Sequence, residues 1–486
     1  MPTESTESMK PKQFPGPFRR SVQLIVLLLL GVALSGGAPR YERQDTRQQE
    51  APPNVLIFVA DDAGWSDFGV YGNEVITTPN VDRLAETGLR VAYAFLTTPQ
   101  CSPSRISILS GKYPHATGAE DLHMPLPEAE ILLPTLLKEQ GYFTGHMRKT
   151  HYGPNGERQF DWYSQAIEDF PEFLEAAGDH PFFLWVGFRD PHRGYQEGAF
   201  DPPHDPAEVI VPPFLADTPE TRADLALYYD EIARMDQNIG RFLDVLDARG
   251  LRENTLVVFL SDNGMPFPAA KGTLYDAGIR TPLIFSWPAG IEAGALAQGP
   301  VSVIDLAPTL LELAGTTPPE AMQGQSIRAL LRNPSLPGRT YVFSERNWHN
   351  CDEHMRSVRT ARYKLIRNAY VELPHGTPAD ASRSPSWYSL IRLKKQGALT
   401  WPQQRIFQAP RPRIELYDLQ KDPGEFYNVA DEADYAEVVG ELTAVLDQWI
   451  DETGDFPPTL RRRDDNTDRI TGVKFTQKIP PMRDMR

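Results

Sequence analysis

Three stretches of this chain share one form. NVLIFVADD (54–62), PFFLWVGFRDPH (181–192) and TLVVFLSDNG (255–264) are unbroken apolar runs that end abruptly in polar, mostly acidic residues. An apolar run without alternation marks a strand buried on both faces, hence a sheet covered by helices on both sides. Helical patterns lie between these runs. The clearest extends roughly from Pro219 to Gly250, with Leu225, Tyr229, Ile232, Met235, Ile239, Phe242 and Leu246 at helical spacing. Alternating strands and helices predict an α/β domain, and ligands in such sheets bind beyond the carboxyl ends of the strands. A fourth, shorter run, GYFTGHMRKTHYG, ends in Lys149 and His151. The four polar ends are expected to converge.

The 486 residues, 41% of them hydrophobic, suffice for one large core or two domains. Basic residues Lys10, Lys12, Arg19 and Arg20 precede the apolar run VQLIVLLLLGVAL (22–34) and the small residues SGGA. That run is short of the ~20 residues that span a bilayer, so it reads as an export signal. Residues 1–38 are expected to be a cleaved signal peptide, with an uncleaved anchor as the alternative, and 39–52 a linker. The protein is therefore placed in a periplasmic, extracellular or lysosome-like compartment, with no stable membrane span after cleavage. A main domain, which carries the polar strand ends, is expected over 53–355. From 356 the style changes: MRSVRTARYKLIRNAYVEL and RIELYDLQKDPGEFYNV read as strands of a smaller antiparallel sheet, with a tight turn at Asp422-Pro423-Gly424. A helix follows near 434–452, then a charged tail to residue 486.

A net charge of −16 repels polyanions and argues against nucleic acid as a partner. A sulfated or phosphorylated small substrate stays open, because a local cationic pocket can sit inside an acidic shell. Asp61 and Asp62 are adjacent carboxylates at a strand mouth. Unscreened, two such charges repel by ~4 kcal/mol at an effective dielectric of 20, a cost that a divalent cation removes. With Asp262 and Asn263 they make an all-oxygen donor set suited to Ca²⁺ or Mg²⁺ rather than zinc. The plainer alternative is that DD caps the following segment and SDNG is a turn.

Cys101 is one of two cysteines, the other being Cys351. In PQCSPSRISILSG, Pro103 fits the first turn of a helix, which places residue 101 at its positive, anion-attracting end. Arg105, Lys112 and His115 follow closely, and Lys149, His151, His192 and Lys271 are further candidates for the same pocket. A thiolate is an odd companion for hard oxygen ligands. A disulfide between the two cysteines is the structural alternative.

The stretch CSPSR resembles the C-x-P-S-R signature of the type I sulfatases, whose cysteine is oxidised to formylglycine. The likeness extends in order through the DD strand, TTPNVDRLAETG, SGKYPHATG, KTHYG, DPH, SDNG and KGTLYDAGIRTP. It implies an alkaline-phosphatase-like α/β fold, with a smaller C-terminal α+β subdomain on the antiparallel sheet. It also implies a formylglycine-generating maturation enzyme as partner and Ca²⁺, ahead of Mg²⁺, as cofactor. By the same resemblance Asp61, Asp62, Asp262 and Asn263 hold the metal, with converted Cys101 touching it. Arg105 and Lys149 steady the nucleophile and the sulfate, His151 is the base, and His192 and Lys271 bind sulfate and assist the leaving group. Where the family usually has G-K-x-H, this chain reads R-K-T-H, with Arg148 in place of glycine.

The segments PFFLWVGFRDPHR, FLADTPETRADLALYYDEIARMDQNIG, SDNGMPFPAAKGTLY and MRSVR resemble the heparan N-sulfatase (sulfamidase) branch. The implied substrate is a sulfated carbohydrate, with N-sulfoglucosamine of heparin-like chains as the specific candidate. A glycan O-sulfatase, or a formylglycine-dependent phosphodiesterase or phosphonate monoester hydrolase, is the alternative. A non-catalytic glycan-binding relative is the rival from another class. The loop SERNWHNCDEHMRSV departs from the branch. Its His349, Asp352, Glu353 and His354 match no standard zinc spacing, and His349, Glu353 and His354 are expected on a substrate rim, with a plain solvated loop as the alternative. Lys112 and His115 complete the expected substrate-binding set.

Overall fold

The structure is a computed structural model that describes residues 52–457. The expected signal peptide, most of the linker and the charged tail lie outside the described residues. Its strands, in chain order, are β1 (Asn54–Ala60), β2 (Leu89–Val91), β3 (Ala94–Phe95), β4 (Phe143–Arg148), β5 (Trp162–Ser164), β6 (Phe182–Gly187), β7 (Thr255–Ser261), β8 (Arg280–Thr281), β9 (Leu283–Ser286), β10 (Ala295–Ala297), β11 (Val301–Ser302), β12 (Val342–Trp348), β13 (Asp352–Arg359), β14 (Tyr363–Asn368) and β15 (Ile414–Asp418).

The apolar run NVLIFVA forms β1 at the centre of an eight-stranded sheet ordered β10-β2-β9-β7-β1-β6-β4-β5. β1 pairs in parallel with β6 (Leu56 opposite Leu184) and with β7 (Leu56 opposite Val257). Side chains alternate across a strand, so Val55, Ile57 and Val59 enter one hydrophobic cluster and Leu56, Phe58 and Ala60 the other. Burial on both faces is the reason the run shows no polar alternation; each large side chain so buried contributes ~2 kcal/mol. The far edge departs from an all-parallel sheet, because β9 runs antiparallel to β7 and β2 antiparallel to β9.

The long helix is Pro219–Ala248. The Thr218 side chain accepts from the Thr221 N–H, and Pro219 occupies the first turn, where its missing N–H costs nothing. All seven apolar residues named from the sequence are buried on it, against the Leu56–Phe58 face.

The smaller sheet is antiparallel, β12-β13-β14-β15, and the helix Ala436–Thr453 packs on it through Leu442, Leu446 and Trp449. It opens at Val342, so the expected division at 355/356 falls inside β13. The turn at Asp422-Pro423-Gly424 follows β15, but no strand follows it among the described residues. Residues 425–430 are held instead by single contacts, such as Val429 N–H to the Leu416 carbonyl (2.9 Å). The sheet is stitched to the main body: Ser344 Oγ donates to the Leu96 carbonyl (2.6 Å) and the Glu345 N–H to that of Thr97 (2.7 Å). Among the described residues, no helix is long and apolar enough to cross a membrane.

Candidate active site

β7, β1, β6 and β4 are adjacent and parallel, so their carboxyl ends emerge side by side. Asp61 and Asp62 follow β1, Asp190 and His192 follow β6, Asp262 and Asn263 follow β7, and Lys149 and His151 follow β4. Between them stands the helix Cys101–Ser110, buried along its whole length, with Cys101 in its first turn. Gln100 precedes it without a side-chain cap, and Cys101 Sγ in the first turn lies 3.8 Å from Asp62 Oδ1, so the positive end of the helix is turned on the strand ends.

Single ligand atoms of Asp61, Asp62, Cys101 and Asp262 all lie within 4.8 Å of one another. The Cys101 Sγ is 3.8 Å from Asp62 Oδ1 and 3.9 Å from Asn263 Oδ1. The Asn263 Nδ2 donates to Asp62 Oδ1 (2.5 Å) and Asp262 Oδ1 (2.7 Å). Each carboxylate has a cation: Lys149 on Asp61 (2.6 Å), Lys271 on Asp62 (2.6 Å) and Arg105 on Asp262 (2.6 Å). Lys271 also reaches Asp380 (2.8 Å). Four carboxylates thus face three cations, and a divalent ion would turn that excess of one negative charge into one positive charge. Three buried carboxylates and an amide oxygen fit such an ion by their hardness and crowding. The sulfur is the discordant atom in that set.

The electrostatics agree. Burial pushes the Asp62 carboxyl up to about 6, against the pull of Lys271. Burial also acts on Asp262, but Arg105 and Lys149 outweigh it and hold that carboxyl below its usual range. The Cys101 thiol is driven up to about 12, mainly by burial, so it stays protonated at neutral pH. His151 is held well below its ordinary value by burial and then by Lys149, which leaves a neutral imidazole.

Backbone strain clusters here. Asp62 (φ 74°), His123 (φ 64°), Arg148 (φ 62°) and His151 (φ 66°) are all left-handed, a conformation that costs an L side chain ~1–2 kcal/mol and gathers at functional sites. Gly187, the last residue of β6, makes room: a Cβ there would overlap the Lys149 carbonyl and lie 2.6 Å from Arg105.

A cavity of 790 Å³ opens over the strand ends, with Asp61, Lys149, His151 and His192 in its wall. His192 Nε2 is 3.8 Å from both Asp62 and Asp380 carboxylates. Of the expected substrate-binding residues, His349 feels the field of Lys271 and Asp380, and burial pushes its imidazole down to about 3. The others lie elsewhere. Lys112 pairs with Glu130 (2.8 Å), and His115 pairs with Glu345 (2.5 Å) against Trp449. Glu353 binds Arg411 (2.7 Å) beside a second cavity, and His354 packs 6.4 Å from the Tyr370 ring. Both cysteines are free, so the disulfide alternative falls.

Sequence reasoning missed Asp380 and His123. Asp380 lies 109 positions from Lys271 in a stretch with no strand pattern, so nothing local marked it. His123 places its ring 4.9 Å from that of His151, and its N–H donates to Ser102 Oγ (2.8 Å).

A family model described as Sulfatase matches residues 53–168 and 164–316, and one described as N-sulphoglucosamine sulphohydrolase, C-terminal, matches 269–383. Human N-sulphoglucosamine sulphohydrolase is 33% identical over 457 residues, spanning 83% of this chain and 91% of the relative. An ulvan-active sulfatase of Formosa agariphila is 29% identical over 459 residues, spanning 83% and 75%. Among solved structures, one in complex with its substrate D-glucosamine-2-N,6-O-disulfate superposes with a TM-score of 0.63 at 20% identity, covering 83% of this chain and 98% of the other. The phosphonate monoester hydrolase of Silicibacter pomeroyi gives 0.66 at 19% identity, covering 86% and 99%. These two establish the alkaline-phosphatase-like fold. The family match, which spans more than half of the chain, and the human relative, a third identical along nearly its full length, place the chain in the sulfatase family, and the protein is a sulfatase.

Proposed function

We propose that the protein is an exported sulfatase in which residue 101 is converted to formylglycine, Ca²⁺ occupies the strand-end carboxylates, and the substrate is N-sulfoglucosamine of heparan- or heparin-type glycans. One observation carries the chemistry: residue 101 stands at a helix N-terminus within 4.8 Å of three carboxylate groups, where oxygen suits the neighbours and sulfur does not. The sugar rests on the 33% identity to the human N-sulphoglucosamine sulphohydrolase and on the matching C-terminal family model. Hydrated formylglycine at residue 101 would supply one hydroxyl as nucleophile to sulfur and a second whose deprotonation would release sulfate, and a cation held by the strand-end carboxylates would withdraw charge from the sulfate oxygens.

The chain's own groups do the rest. Asp61, Asp62, Asp262 and the Asn263 amide would hold the cation. Arg105, buried between Asp262 and the Lys149 carbonyl (2.9 Å), fixes the end of β4 against the helix. Lys149 and Lys271, each already on a carboxylate, present ammonium groups to the sulfate. His151, neutral in the cavity wall, accepts the proton of the second hydroxyl. His192, a third exposed at its side chain, gives a proton to the leaving nitrogen or oxygen. A maturation enzyme acts on CSPSR before the helix is buried.

The test is desulfation of a panel of defined saccharides by mature protein, N-sulfoglucosamine included, with an aryl phosphonate monoester in parallel. Turnover of N-sulfoglucosamine is expected. Turnover of O-sulfated sugars alone would replace the sulfamidase reading with a glycan O-sulfatase. A marked preference for the phosphonate would favour the second reading, which the structural likeness to a phosphonate monoester hydrolase keeps in view.

A further inference from the structure

Four arginines line the cavity: Arg148, Arg189, Arg193 and Arg234. Two are neutralised. Arg193 forks onto Asp224 (2.7 and 2.9 Å), and Arg234 binds Asp190 (2.6 Å) and Glu231. The other two are not: among the described residues, neither Arg148 nor Arg189 has a carboxylate oxygen within 4.0 Å. The Arg148 Nε is buried with no hydrogen-bond partner, and Arg189 makes only a long contact to Gln165 Oε1 (3.4 Å).

The two positions are built to stand together. Arg148 ends β4 directly opposite Gly187, the last residue of β6, and Arg189 follows two residues later. Gln165, just beyond β5, ties them: its Nε2 donates to the Arg148 carbonyl (3.1 Å) while its Oε1 accepts from Arg189. Arg148 keeps a φ of 62°, where glycine would sit without strain. A long charged side chain retained at a strained position, aimed into a cavity and left without a counter-charge, marks an anion-binding role. The surrounding chain carries net negative charge, so this local excess is not a by-product of composition. The cavity also exceeds what one sulfate group needs.

We infer that Arg148 and Arg189 form a second anion subsite that binds another acidic group of the same saccharide, a sulfate or a uronate carboxylate, while the scissile sulfate sits at Lys149 and Lys271. Both anions present paired oxygens to a planar guanidinium, which explains arginine rather than lysine at these positions. The inference rests on the reading of this cavity as the sulfate site, and it names what that site selects.

The test compares N-sulfoglucosamine, its 6-O-sulfated form, and a disaccharide bearing a uronate beside N-sulfoglucosamine. The parent enzyme is expected to favour at least one doubly acidic substrate in kcat/KM, and which one identifies the anion. Arg148→Gly and Arg189→Gln should each cut that preference about tenfold, chiefly through KM, and Arg148→Lys should keep part of it. Arg148→Gly should melt no lower than the parent, since it relieves the backbone, whereas a purely structural arginine would lower the melting temperature. Calorimetric titration of the Cys101→Ala protein with the same sugars reads the subsite without turnover. A preference absent from the parent, or unchanged in both variants, overturns the subsite and leaves the sulfatase reading intact. A parent that turns over none of the three yet binds the doubly acidic sugar through Arg148 overturns the proposed substrate and leaves the subsite.

Discussion

Two of the buried ionic networks among the described residues contrast: one joins the small sheet to the main body, and the other lies at the strand ends. At the junction of the small sheet with the main body, Arg356 donates two hydrogen bonds to Asp455 (2.5 and 2.7 Å) and others to Asn347, Arg346 and Met355. Glu345 beside it accepts from the His115 N–H and ring (2.9 and 2.5 Å) and from Asn347 (2.9 Å). Its charges are matched by local partners. At the strand ends, carboxylates outnumber cations, a thiol stands among hard donors, and a cavity opens above. Buried charge by itself therefore marks architecture. Unbalanced buried charge beside open volume marks chemistry.

The sharpest way to break this contrast is Cys101→Ala. Turnover should fall by more than ~10³-fold, as for other lost covalent nucleophiles, while the melting temperature barely moves. Persisting turnover in a pure preparation, or mass spectrometry finding native residue 101 wholly unconverted in active enzyme, would remove the distinction at its root. Arg356→Met is the counterpart. It strands Asp455 in the interior and should cost ~3–5 kcal/mol in denaturant unfolding, with kcat per folded molecule unchanged. Chelation followed by Ca²⁺ should abolish and restore activity. The ion should add ~3 kcal/mol to stability at a hundredfold excess over its Kd, readable as a shift of the unfolding midpoint.

Two histidines sharpen the comparison by pH, with opposite signs. His146 on β4 is pushed down to about 4 by burial. Its neutral form stabilises the fold fully above pH 6.5, and that contribution is lost as pH falls from 6.5 towards 4, by up to ~3 kcal/mol. His146→Phe should flatten this acid limb. His115 is raised: burial lowers it, but the Glu345 charge and hydrogen bond prevail. Its contribution is complete below pH 6.5 and is lost as pH rises through the raised value, and Glu345→Gln should erase that alkaline limb. The smallest effect is expected for Lys112→Ala. The Lys112–Glu130 pair is partly exposed and worth at most ~1 kcal/mol, and KM should not change. A large rise in KM would bring Lys112 back into the substrate site.

Much of this was legible along the chain. β1, β6 and β7 announced themselves because a strand buried on both faces must be apolar throughout, and their polar terminations marked one end of the sheet. Pro103 set the start of the Cys101 helix. Lys112 and His115 were expected beside Cys101 from closeness in sequence, and the structure pairs them with Glu130 and Glu345. Lys112 and His115 follow the far end of the ten-residue helix Cys101–Ser110, ~15 Å along its axis from Cys101. On β13, Glu353 binds Arg411 and the Gly376 N–H, while His349 ahead of the strand stays near Lys271.

The sequence by itself marked the apolar central strands, their polar ends and the hard-donor character of those ends, because burial and ligand hardness are written in residue types at short range. Only the tertiary structure decided that Asp380 steadies Lys271, that Arg356 is scaffolding, and that Arg148 and Arg189 stand without counter-charges. Charge balance is a sum over neighbours in space, and residues a hundred positions apart enter it on equal terms with those next door.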